Sequence, residues 1–305
     1  MQLMDQLNKV FSECTITKIV RFHASRNMTY HVFTNHDSVV VKIAPIENSG
    51  GLHWEFEVIK HWYCCKGDVA KPLREAEIEI DGTKYCVKVY SFLEGQELMQ
   101  SELTGYSFGK SLASLHLAWK EGKNTFTIPS YKKPMDIETL RDSLDSIEQL
   151  CGSIQDFTTI RRYVDQVGEF LEKNQEKELF CMTHGDAHFK NVRIQQDDRI
   201  QWFDFEDACF QWRAYDLATA IWSTYGSNGD ATIWNAIIEG YCSITELQDC
   251  EYPLINRLIF ARHLWWLGLN AKHWDEWKLP YTKRYFFKNG LNLLIDIAQS
   301  VCGLE

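Results

Sequence analysis

What most constrains this chain is a change of texture near Gly95. Before it, short β-rich runs alternate with turns: TITKIVRFHAS, YHVFTN, the turn NHDS, VVVKIA, and the pair AEIEI and KYCVKVYSF around Asp81-Gly82. Between the third and fourth runs, Leu52, Phe56, Ile59 and Tyr63 recur near the helical period, so one helix interrupts an antiparallel sheet. From Leu98 onward the spacing is helical, through Leu103, Tyr106, Phe108, Leu112, Leu115 and Leu117 and again at about 136–149 and 156–173. Strands first and helices later give an α+β class. The expected organisation is bilobal: a small N-terminal sheet with one helix over residues 1–95, and a larger, mostly helical lobe over 96–305, joined through FLEGQEL.

One strand-like stretch interrupts the helical part: LFCMTHGD, NVRIQQ and RIQWFDFED, with Asp197-Asp198 as a turn. It carries the chemistry. HGDAHFKN runs from His184 to Asn191 and is followed by WFDFED, whose first carboxylate is Asp204. Phosphoryl transfer asks a protein for a carboxylate to take the attacking hydroxyl's proton and for oxygen ligands to a magnesium that bridges the phosphates. Asp186, the amide oxygen of Asn191 five residues later, and Asp204 after a short hairpin supply those groups in the order used by a kinase catalytic loop. Taken singly, Asp186 and Asn191 read equally well as turn residues. The combined spacing favours the phosphotransfer reading.

These motifs resemble the aminoglycoside phosphotransferase and choline kinase-like superfamily, whose signature is HGD-x-H-x-x-N, then D-F-[DE]-[DE], then an aromatic and DLA. This chain reads HGDAHFKN, DFEDA and AYDLA in that order. The resemblance implies a protein-kinase-like fold, ATP and Mg2+, Asp186 as base, and Asn191 and Asp204 as metal ligands. Glu206, on the same side of an extended strand as Asp204, is a candidate for a second metal or for the acceptor. His184 and His188 read as braces of the loop, since magnesium prefers oxygen, and Asp216 in YDLA reads as a bracing carboxylate.

In the first lobe, Lys42 stands inside the apolar run VVVKIA, where an unpaired ammonium would be costly to bury. It needs anionic partners. The kinase pattern offers ATP phosphates and a carboxylate on the following helix, either Glu55 or Glu57, with register favouring Glu55. The turn over the phosphates has no glycine between Arg21 and Asp37, so Ser25, Arg26 and Asn27 are candidates for phosphate contact through side chains. The connector from Ser91 to Leu93 would meet the adenine edge, as the family implies.

Composition narrows the partners. A net charge of −10 argues against nucleic-acid and anionic-membrane surfaces and suits neutral or cationic ligands. No apolar run approaches the ~18–20 residues of a membrane span, and the N-terminus lacks a signal-peptide pattern, so a cytoplasmic location is expected. The ten cysteines, scattered through a long chain, read as free thiols. The acceptor is then expected to be a hydroxyl-bearing small molecule such as an amino alcohol or aminoglycoside. The alternatives are a Ser/Thr protein kinase of the stress-response type and a silent nucleotide-binding pseudokinase. Trp265, Trp266, Trp274, Trp277 and Tyr281, around Asp275 and Glu276, read either as core or as a holder for an ammonium.

Overall fold

A computed structural model describes residues 2–22, 27–121, 127–152, 157–225, 231–277 and 280–305. The chain forms two compact units that interleave in sequence: residues 1–99, 114–129 and 189–208 make the first, and 100–113, 130–188 and 209–305 the second.

The first unit begins with α1 (Gln2–Val10), a segment whose sequence above was informative only for lacking a signal pattern. Leu7 and Val10 of this helix, with Phe11 just beyond it, enter the sheet's core, which is what makes so short a helix stable. The strands are β1 (Ile16–Phe22), β2 (Met28–Thr34), β3 (Ser38–Pro45), β4 (Pro72–Ile80) and β5 (Thr83–Ser91), with α2 (Gly50–Cys64) between β3 and β4. They form an antiparallel sheet in the order β1-β2-β3-β5-β4. The β4–β5 hairpin turns at Asp81 and Gly82, both with positive φ, as a two-residue turn that follows the strand twist requires. β3 lies between β2 and β5, so both its edges are paired, and Val39, Val41 and Ile43 point into a core shared with Val32, Val87 and Val89. Lys42, on the opposite face of this central strand, is buried.

The second unit is helical. α3 (Glu102–Glu121) starts in it, followed by α4 (Ile137–Cys151) and α5 (Thr158–Lys173) near the expected spans. Next come the strand β6 (Phe180–Thr183) here and the hairpin β7 (Val192–Ile194) and β8 (Ile200–Trp202) in the first unit. The turn of that hairpin includes Asp198, at φ 61°. β9 (Cys209–Trp212), which the sequence pattern did not signal, pairs antiparallel with β6. The remaining helices are α6 (Ala214–Trp222), α7 (Ala231–Cys242), α8 (Glu251–Lys272), α9 (Trp274–Trp277) and α10 (Lys283–Ser300). α8 packs on α4, α5, α6 and α10 and is buried over most of its circumference, as expected of a helix apolar on nearly every face. Among the described residues no helix is long and apolar enough to cross a membrane, and the cysteines are free thiols.

Candidate active site

In the first unit the site is built around Lys42. Its Nζ donates to Glu55 Oε1 at 2.7 Å and to Asp204 Oδ1 at 2.6 Å. Glu55 lies on the buried face of α2 and also accepts from the backbone N–H of Phe205 at 3.1 Å, so the helix anchors the chain directly beside Asp204. Glu57 is 46% exposed and pairs instead with Lys60 at 3.8 Å. Burial pushes the Glu55 carboxyl up, Lys42 pulls it down, and nearby Asp204 raises it again, leaving it at about 7. Burial disfavours the Lys42 ammonium too, but the two carboxylates outweigh this and raise its pKa above the ordinary lysine value.

Asp204 has φ +69°, a left-handed conformation that Asp tolerates better than most residues and that is often found at functional sites. Asn191 closes a short turn over Phe189–Asn191, is buried, and accepts through its carbonyl from Phe203 N at 3.1 Å, tying that turn to the segment leading into Asp204. Glu206 accepts from Asn27 Nδ2 at 3.2 Å. Ser25 and Arg26 lie outside the described residues.

A cavity of about 400 Å³ opens beside Lys42, Glu55 and Asp204, and its wall includes the connector residues Ser91, Phe92 and Leu93. The connector is fixed where it leaves β5: Ser91 N donates to Lys71 O and Ser91 Oγ accepts from Lys71 N, both at 2.9 Å. The cavity has features absent from the sequence reading. His31 stacks on Phe92 with ring centroids 3.8 Å apart and planes 9° apart. Lys190 and Arg193 also line it, the latter with its guanidinium 5.0 Å from the centre of the Phe203 ring.

In the second unit the site is built around Asp186. β6 ends at Thr183, and the chain turns at Gly185, whose φ of +82° suits glycine. The turn is braced from one side by Asp216, fully buried at the start of α6: its carboxylate accepts from His184 N at 2.6 Å and Gly185 N at 2.9 Å. His184 Nδ1 accepts from Asp186 N at 3.3 Å, which places its ring proton on Nε2. His188 Nε2 lies 3.2 Å from Asp186 Oδ2. The histidines thus brace the loop. Among the described residues no three His, Cys, Asp or Glu side chains gather as a metal site.

The residue that sequence reasoning missed is Arg262 of α8. Its Nη2 donates to Asp186 Oδ1, while Nη1 donates to Gly185 O at 3.3 Å and Tyr215 Oη at 3.4 Å. The guanidinium faces Trp265 at 4.6 Å and Trp222 at 5.0 Å. Burial alone would raise the Asp186 carboxyl; the charge of Arg262 and the contact with His188 override it and hold the group well below the usual carboxylate range. The signal was available, because an Arg inside LIFARHLWWLG needs a partner as much as Lys42 does. The aromatic segment beyond is divided. Trp265 already faces the chain's own cation, Trp274 packs on Phe286 and Phe287, and Trp277 and Tyr281 are exposed, with Trp277 stacked on His273.

Comparison with known proteins places this geometry. Over 98% of its length the chain superposes with an amicoumacin kinase, hAmiN, solved with AMP-PNP, Ca2+ and amicoumacin, at a TM-score of 0.74, 17% identity and 93% coverage of that chain. A microcompartment-associated aminopropanol kinase gives a TM-score of 0.71 at 18% identity, covering 98% of this chain and 95% of its own. The choline kinase LicA of Streptococcus pneumoniae gives 0.67 at 15% identity, with 98% and 100% covered. At these identities the likeness establishes the kinase-like fold. The model of the phosphotransferase enzyme family APH matches residues 18–252, and the chain is therefore a member of that phosphotransferase family.

Proposed function

We propose that this phosphotransferase moves the γ-phosphate of ATP to a hydroxyl of a small, positively charged molecule, an amino alcohol or an aminoglycoside. The observation that carries the reading is the cavity beside Lys42. Its volume falls in the range of small-ligand pockets, its walls combine aromatic rings with a backbone connector, and one end holds an ammonium clamped between two carboxylates. Lys42 then contacts the phosphates and Glu55 holds it in place. The connector at Ser91 and Leu93 faces the base, and Asn27 lies at the phosphate end beside Glu206.

The donor set suits magnesium. Asn191, Asp204 and Glu206 offer oxygen, and two carboxylates sharing one ammonium leave a surplus of negative charge. Asn191 and Asp204, with Glu206 as a further ligand, would hold the magnesium, which would supply positive charge to offset that of the phosphates. Asp186 orients the acceptor's hydroxyl and takes its proton as the oxygen–phosphorus bond forms, while the bond to the bridging β–γ oxygen breaks and ADP leaves with its electron pair. A carboxylate as weakly basic as Asp186 suffices if the proton moves late, once the attacking oxygen has been acidified by bonding to phosphorus.

The acceptor's charge is supported by the net −10 of the chain and by the amino-alcohol substrates named for the aminopropanol and choline kinases of the same fold. An ADP-release screen with ATP and magnesium over ethanolamine, 1-amino-2-propanol, choline, homoserine, methylthioribose, aminoglycosides and a generic protein substrate tests it. Turnover is expected with a cationic alcohol and is expected to vanish on chelation of magnesium. Turnover with the protein alone, or with an uncharged or anionic acceptor alone, would overturn the assignment.

A further inference from the structure

Carboxylates that take a proton in phosphoryl transfer have to be ionised and aimed, and burial works against the first while a flexible loop works against the second. Asp186 sits on a turn whose backbone bends through a left-handed glycine, so its side chain needs an external hold. The hold comes from 76 residues away in sequence, on α8. We propose that Arg262 is the positioning residue of the reaction: its guanidinium holds Asp186 Oδ1 and the Gly185 carbonyl together and so fixes the orientation in which the carboxylate meets the acceptor's hydroxyl.

Arg262 is suited to this because it is itself immobile. Its side chain is 5% exposed. Trp222 and Trp265 face its guanidinium, and Tyr215 accepts from the same nitrogen that reaches Gly185 O. Trp222 is fixed in turn by donating from Nε1 to His263 Nδ1 at 2.9 Å. A planar fork of donors can serve a backbone carbonyl and a carboxylate at once, which a lysine's point charge cannot reproduce. On the other oxygen, Oδ2, the His188 ring lies 3.2 Å away, so the carboxylate is held from both of its ends. Asp216 secures the two amides preceding Asp186, so Arg262 and Asp216 grip the turn through its carbonyl and its N–H groups respectively.

This inference rests on Asp186 being the proton acceptor, and the experiment separates the two. ADP release from ATP and magnesium is followed with water and with each amino alcohol of the screen above, for Arg262→Ala, Arg262→Lys, Asp186→Asn and the Asp186→Asn/Arg262→Ala double variant. Arg262→Ala is expected to lower kcat about 10²-fold with KM for ATP unchanged, the size of effect that follows from misplacing a reacting group by about an ångström. Added ethylguanidine, which fits the space between the two tryptophans, is expected to restore Arg262→Ala and to leave Asp186→Asn unchanged. Arg262→Lys retains the charge without the fork and is expected to fold with kcat between those of the parent and Arg262→Ala; it carries the test if the alanine variant does not fold. The double variant is expected to be no slower than Asp186→Asn. Parental kcat in Arg262→Lys, or losses that multiply in the double variant, overturns the role of Arg262. Full activity in Asp186→Asn overturns the role of Asp186 itself, whatever the Arg262 variants do.

Discussion

The Lys42 cluster and the Asp186 cluster use the same materials to opposite ends. Around Lys42 one ammonium serves two carboxylates, and Glu55, buried in that company, is pushed up to about 7. Around Asp186 one carboxylate is served by a guanidinium and an imidazole, and it is held low. The first arrangement is short of positive charge, and the second is neutralised by the chain's own side chains. In the proposed reaction this difference has a use: the Lys42 cluster would be completed by a cation arriving with the nucleotide, whereas the Asp186 cluster is already neutralised by the chain's own side chains.

The contrast predicts different failures. Asp186→Asn leaves the Lys42 cluster intact and removes only the proposed proton acceptor, so kcat is expected to fall by about 10²–10⁴ while ATP affinity stays near the parent value. Steady-state kinetics with nucleotide titration checks this. If turnover and ATP binding fall together, Asp186 belongs with the nucleotide and the contrast breaks.

A second break would come from α8, where neighbouring residues meet burial differently. Arg262 meets burial with a carboxylate partner, Asp186. His263 has no carboxylate partner of that kind: its Nδ1 accepts from Trp222, its Nε2 donates to Gly290 O at 2.8 Å, and burial pushes its pKa down to about 4. Between that value and the ordinary 6.5 the unfolded chain binds the extra proton, so the stability contributed by neutral His263 is present above pH 6.5 and is lost as pH falls through about 4. The loss is at most about 3 kcal/mol. Urea unfolding of the parent and of His263→Gln over this window should converge toward acid pH. Parallel curves would mean that His263 is protonated in the fold at no cost.

Much of this was legible in the sequence. The strands β1 to β5 followed from β-rich runs bounded by turns such as Asp81-Gly82, and helix α2 from Leu52, Phe56, Ile59 and Tyr63 recurring near the helical period. Lys42 was conspicuous because an ammonium inside the apolar run VVVKIA needs an anionic partner. Arg262 escaped notice in a helix, where an arginine is ordinarily read as snorkelling to the surface. Only the packing of α8 on several helices shows that this one has no surface to reach. α1 and β9 were illegible for a related reason: each is short and is stabilised by what it packs or pairs against. His31 looked like one more strand residue, since its stacking on Phe92 joins positions 61 apart in the chain.

Asp204 sharpens the contrast from the other side. Removing a carboxylate from a cluster short of positive charge should weaken its hold on magnesium without touching the proton acceptor. Asp204→Ala is accordingly expected to raise the magnesium needed for half-maximal activity by about tenfold or more. Superimposable magnesium titrations of variant and parent would remove Asp204 from the ligand set.

The smallest expected effect is the most discriminating for the Lys42 cluster. Lys42→Met removes the proposed phosphate contact and strands Glu55 in a buried site, but Glu55, already at about 7, relieves the strain by taking a proton. Glu55→Gln keeps the shape and the acceptor oxygen for Phe205 N and loses only the charge that holds Lys42. Each change therefore forfeits part of what the other forfeits, and the double variant should be less impaired in kcat/KM for ATP than the product of the single losses, with a coupling of about 1 kcal/mol. The same cycle with Glu57→Gln should show none, because Glu57 is turned to solvent and to Lys60. Additive effects at Glu55 would mean that the pair at 2.7 Å is structural, and that Asp204 alone orients the lysine toward the phosphates.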